Sequence, residues 1–151
     1  AADWVVMASI RDSTNYIAEF SSADTGFGGI TLPGALKEWF VACGYSDVIE
    51  ECNVWFNKDE ASMRKANDLL SKDYKVSLFI NAQVLYESSQ NDWSSIPTHW
   101  VMLNDPFVIT NTSVRFTCFT WGVGNRAVPQ GGSLTLEGFL NNYYGFVAAK
   151  A

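Results

Sequence analysis

The order of hydrophobic patterns along this 151-residue chain predicts an α+β domain, with N-terminal helices packed on a mostly antiparallel sheet. Three observations carry that expectation. Apolar residues recur at helical spacing through the first half of the chain. Short β-branched and aromatic runs dominate the second half. Hydrophobic residues make up 48% of the chain, enough to build one sizeable core. Residues 1–151 therefore read as a single domain.

The elements follow in order. Asp3 caps a helix through Trp4, Met7, Ala8 and Arg11 that fades near Asn15. Residues 21–30 are small, polar and Gly-rich, hence a loop. Thr31 caps a second helix, with Pro33 in its first turn, where no N–H is required. Leu36, Trp39, Phe40 and Cys43 form one buried stripe on it, and Gly44 ends it. Val48 to Phe56 reads as extended. Asp59 caps a third helix whose Met63, Ala66, Leu69 and Leu70 face inward. Tyr74 to Ala82 is a strand, 86–98 a polar surface loop, and His99 to Leu103 a strand. Asn104-Asp105-Pro106 is a turn or bulge. Val114 to Trp121 is a strand, and Gly122 to Gly132 a second loop. Ser133 or Thr135 caps a last helix with Leu136, Phe139, Leu140 and Tyr143 on one side, and Tyr144 to Ala149 closes as a strand.

Charge and cysteine usage narrow the function. Ten Lys and Arg stand against 16 Asp and Glu, a net charge of -6, and only Arg64 and Lys65 are adjacent cations. Nucleic-acid binding needs a basic stripe, so no nucleic-acid partner is expected. No apolar run approaches the roughly 20 residues of a membrane span, and the N-terminus has no signal-peptide pattern. A start at Ala1 without an initiating Met reads as a processed or trimmed chain. The three cysteines, Cys43, Cys52 and Cys118, are far apart, and His99 is the one His. That pattern predicts neither a zinc site nor a complete disulfide framework, and no metal or cofactor is expected. No G-x-S-x-G elbow occurs, and Gly26-Phe27-Gly28-Gly29 lacks the Lys-Ser/Thr of a phosphate loop.

His99 is the residue with the most chemistry. It opens a strand just after a long polar loop, where a rigid scaffold commonly displays a catalytic group. Imidazole suits proton transfer near neutral pH. A buried, hydrogen-bonded structural His is the competing reading.

His99-Trp100-Val101-Met102-Leu103, followed by Cys118-Phe119-Thr120-Trp121-Gly122, resembles the second half of the papain-like cysteine peptidases. The segments DWVVMASIRDSTN, GITLPGALKEW and LNNYYGFVAAK more loosely resemble papain-like and NlpC/P60-like toxins that bacteria deliver on contact. The resemblance implies a papain-like fold, with this chain as the C-terminal part of a longer domain. It implies a thiol hydrolase that cleaves amide bonds of peptidoglycan or protein, acting as a secreted bacterial effector with a cognate inhibitor or immunity protein. His99 is then the base. That family usually carries Asn where Phe119 stands, so the imidazole's orienting partner falls to Asp105, with Asn104 beside it. The nucleophile is a Cys upstream of Ala1 or, within the chain, Cys52 ahead of Cys43. Cys52 has two carboxylates beside it, Glu50 and Glu51, which discourage a thiolate. Cys43 sits at the wrong end of a helix dipole, and Cys118 reads as a small apolar packer. The rival reading is a non-catalytic interaction domain on the same frame, with Trp93, Trp100 and Trp121 near His99. A third, an immunity or inhibitor protein, fits the acidity.

Overall fold

The computed structural model describes residues 32–120 and 123–150. The expected helix after Asp3, the loop at 21–30, Thr31 and the Trp121-Gly122 pair lie outside them. Among the described residues, three α-helices and six strands follow in the order α1 (Pro33–Ala42), β1 (Asp47–Cys52), α2 (Glu60–Ser71), β2 (Lys75–Ile80), β3 (His99–Ile109), β4 (Val114–Thr120), β5 (Val123–Val128), α3 (Leu136–Leu140) and β6 (Tyr143–Lys150). A short 3-10 turn, Ala82–Leu85, follows β2.

The expected class, N-terminal helices packed on a sheet in papain-like fashion, does not hold. The molecule is largely β. One six-stranded sheet, ordered β1-β6-β2-β3-β4-β5, is antiparallel at every pairing. The helices are short, of 10, 12 and 5 residues, and are interleaved with the strands. Two segments explain the shift. The expected loop at 122–132 contains β5, an edge strand that carries Gly124 and Asn125 and is mostly exposed, so it shows no buried alternation. And β3 does not stop at Asn104 but runs 11 residues.

Pro106 removes an N–H from β3, and the β3–β4 register shifts on either side of Asp105. Helix α2 repairs the interruption. The Asn67 amide donates to the Phe107 carbonyl at 2.9 Å, and its oxygen accepts the Phe107 N–H at 2.7 Å. A side chain thus satisfies both backbone polar groups of Phe107. Asp59 caps α2 as expected, its carboxylate accepting the Ser62 N–H. Helix α1 begins at Pro33 after Leu32, and Gly44 follows it with φ of 95°. Leu36 and Phe40 of the expected stripe are buried, while Trp39 and Cys43 are partly so.

Both faces of the sheet are covered. On one, Met63, Ala66 and Leu69 of α2 and Phe139 of α3 pack on Val76, Leu78, Ile80, Val101, Phe116 and Phe146. On the other, Leu36 and Phe40 of α1 pack with Phe79, Trp100, Met102, Phe119 and Tyr144. Tyr143, expected on the last helix, instead begins β6 and hydrogen-bonds Ser62 at 2.9 Å. No described helix is long and apolar enough to cross a membrane.

Candidate functional site

Antiparallel pairing brings six strand ends to one rim of the sheet. Ile80 pairs with both His99 and Tyr143, Cys52 pairs with Gly145, and Thr120 pairs with Val123. His99 stands on this rim, 2% exposed. Side chains alternate along a strand. Val101 belongs to the α2-side core and Trp100 to the α1-side core, so His99 turns toward the α2 side.

Among the described residues, Thr120 is a partner of His99. Val101 stands opposite Thr120, by continuation of the Met102–Phe119 and Leu103–Cys118 pairs, so His99 is its diagonal neighbour on the same face. The ring Nε2 and Thr120 Oγ1 are 2.7 Å apart, and Thr120 is fully buried. Burial lowers the imidazole pKa from 6.5 to about 4. At neutral pH the ring is therefore uncharged.

The other expected site residues are not brought to it. Asp105 lies six residues farther along β3, roughly 20 Å at strand rise. Its carboxylate accepts the Thr117 hydroxyl at 2.6 Å and lines a hollow of about 270 Å³ with Arg115, remote from the rim. Asn104 donates to the Gly124 carbonyl at 2.8 Å. Cys52 lies at the level of Trp100 but across β6 and β2, three strand spacings or about 14 Å away. Its thiol donates to the Phe146 carbonyl at 3.2 Å. Burial, then the Glu50 charge, pushes its pKa well up, as its sequence context foretold. Cys43 is the C-cap of α1. Cys118 is buried in the core, and that burial raises its thiol to about 12. Of the three Trp expected near His99, Trp100 is core, stacked on Phe79 at 4.2 Å between centroids, and Trp93 is exposed.

The loop that leads into His99 is anchored from β6 and its approach. Asn142 is fully buried. Its amide donates to the Asp92 and Gly138 carbonyls at 2.9 Å each, and its oxygen accepts from Gln83 Nε2 at 2.7 Å. Asn142→Ala removes three hydrogen bonds, one of them to the buried Gly138 carbonyl, and we expect a loss of about 1–3 kcal/mol in urea unfolding. A loss under about 0.5 kcal/mol would show that the network closes without it.

Burial of His99 also has a pH signature. The folded pKa lies below the unfolded one, so the unfolded chain binds the extra proton between pH 6.5 and about 4. The stabilisation is complete above pH 6.5 and is lost as pH falls toward 4. The shift corresponds to about 3 kcal/mol. Unfolding curves across that window should fall more steeply for wild type than for His99→Gln by about that amount. Parallel curves would mean that the ring is solvated.

No known protein family, curated protein or solved structure matches the chain.

Proposed function

We propose that this chain carries the proton-transfer half of a thiol hydrolase acting on amide bonds, with His99 as general base and then general acid. The observation that carries the reading is the 2.7 Å contact between His99 Nε2 and Thr120 Oγ1. It joins an imidazole to a hydroxyl of the neighbouring strand, at a rim built from the ends of all six strands. Thr120 is the positioning residue. The bond to Thr120 holds the ring, and the imidazole accepts and returns the proton.

None of the described thiols is placed to use that base, so the nucleophile in this reading is a Cys preceding Ala1. His99 takes the thiol proton, and the thiolate attacks the amide carbon, giving a tetrahedral oxyanion. The imidazolium then protonates the departing amine, leaving a thioester. Water, deprotonated by the same imidazole, hydrolyses the thioester and restores the thiol. The low pKa of His99 suits this division. A thiolate docked beside the ring favours the imidazolium and raises its pKa toward the working range.

Alkylation of each cysteine against pH, in the protein with its natural sequence upstream of Ala1, tests the reading. We expect one upstream Cys to react fast below about pH 7 and to slow in His99→Gln. Cys52 and Cys118 should remain slow, because burial raises both thiols. Uniformly ordinary or buried thiols would overturn the reading. They would favour the non-catalytic interaction domain, to which the exposed Phe56 and Trp93 also lend support.

A further inference from the structure

The hollow beside Asp105 takes no part in the reaction proposed at the rim. Strand register builds it. Asp105 and Ala127 both pair with Thr117, and Val108 pairs with Arg115. Paired residues share a face of the sheet. Phe119, two residues past Thr117, belongs to the α1-side core, so the hollow opens on that face. Among the described residues, this core ends on β4 at Phe119 and takes in nothing from β5. The floor of the hollow is low because Thr117 and Ala127 are small, and Pro106, Val108 and Pro129 stand around it. Its volume of about 270 Å³ is just under the roughly 300–1,000 Å³ of sites for drug-sized ligands, which suits one small molecule. Arg115 and Asp105 bring opposite charges to the same hollow. The Asp105 carboxylate is held by the Thr117 hydroxyl at 2.6 Å. Both charged side chains are exposed, and neither forms an ion pair among the described residues.

We propose that this hollow binds a free α-amino acid with an apolar side chain, its ammonium on Asp105 and its carboxylate on Arg115. Two unmatched charges of opposite sign beside an apolar floor are complementary to a zwitterion. An apolar acid would leave Asp105 unmatched, and an apolar amine would leave Arg115 so. The spacing agrees. Arg115 lies two residues from Thr117, roughly 6.6 Å at strand rise, and Asp105 lies across one strand spacing, about 4.8 Å. The two Cα atoms are therefore about 8 Å apart. Side chains stand nearly perpendicular to a sheet, so their charged ends keep about that separation. The ammonium and carboxylate of one amino acid, with a charge-assisted hydrogen bond of about 2.8 Å at each end, span about 9 Å. A second residue would add about 3.3 Å and overshoot. The amino acid's side chain then lies over Thr117 and Ala127, between the two prolines. The proposal does not depend on the role of His99.

The test is an NMR titration of the full chain with L-phenylalanine and L-leucine, read at the Thr117 and Ala127 amides. Phenylpropionate, which lacks the ammonium, and phenethylamine, which lacks the carboxylate, are the single-charge probes. Either amino acid should bind at least about 10-fold more tightly than both probes. The two charges should separate by substitution. Asp105→Asn should erase the preference for L-phenylalanine over phenylpropionate, and Arg115→Gln the preference over phenethylamine. Thermal midpoints should not move, because both side chains are exposed and Asn keeps an oxygen for the Thr117 hydroxyl. Ala127→Leu fills the hollow without touching either charge and should abolish binding. Equal binding of the single-charge probes, preferences that survive both substitutions, or equal binding of a phenylalanine blocked at both ends would overturn the proposal. So would unshifted Thr117 and Ala127 amides at the solubility limit of both amino acids.

Discussion

With His99 as the proposed base, replacing it with Gln in the full natural protein should reduce amide hydrolysis by at least about 10³-fold. Gln keeps a hydrogen-bonding group near Thr120 but cannot carry a proton between thiol and leaving amine. The loss should fall on kcat more than on KM, because proton transfer is needed in the transition state and not for binding. Thr120 offers a second measurement that a merely structural role would not move. Thr120→Val keeps the volume and removes the oxygen 2.7 Å from Nε2. We expect a loss of roughly 10- to 100-fold and a changed pH profile, with Thr120→Ser restoring most of the rate. Full activity in His99→Gln would leave the imidazole a structural group and remove it from the reaction.

What the sequence made legible was local. The Asp59 cap, the end of α1 at Gly44, and the cores of β2 and β6 depend on neighbours within a turn or on period-two patterning. The failures were long-range. Pro106 looked like a break because its repair comes from Asn67, 40 residues away on α2. Strand β5 was hidden because only its pairing with β4 makes Val123–Val128 a strand. Its Arg126 lies over the Tyr86 ring rather than in an alternating pattern. Tyr143 fitted the helical spacing of Leu136, Phe139 and Leu140, but the chain turns at Asn142, whose side chain binds the Asp92 loop. The site failed in the same way. His99 was visible as the lone imidazole at a strand start. Thr120 was recognisable as facing away from Phe119, but its place beside His99 depends on the β3–β4 register. Asp105 was close in sequence and, because β3 is extended, far in space.

Gly145→Ala should be the most damaging single change to the fold. Gly145 adopts φ of 119°, a backbone state that L side chains rarely take. A Cβ there would lie 2.0 Å from the Glu51 carbonyl oxygen and 2.7 Å from Cys52 Cα. Both are backbone atoms of the paired strand β1, so no rotamer change relieves the overlap. β6 cannot retreat either, because β2 holds its other side. The strain alone is about 1–3 kcal/mol, and separating the strands adds the loss of ladder bonds. Against a total stability of roughly 5–15 kcal/mol, we expect most of the protein to become insoluble or to melt far below wild type. Gly34→Ala is the matched control. It lies within α1, with nothing inside 4 Å of the added Cβ. It should raise stability by about 0.5 kcal/mol. Wild-type melting of Gly145→Ala would mean that β1 does not approach β6 this closely. The consequence reaches the rim, because the same close approach lets the Asn53 N–H reach the Tyr144 carbonyl and fixes the turn that carries Trp55 and Phe56.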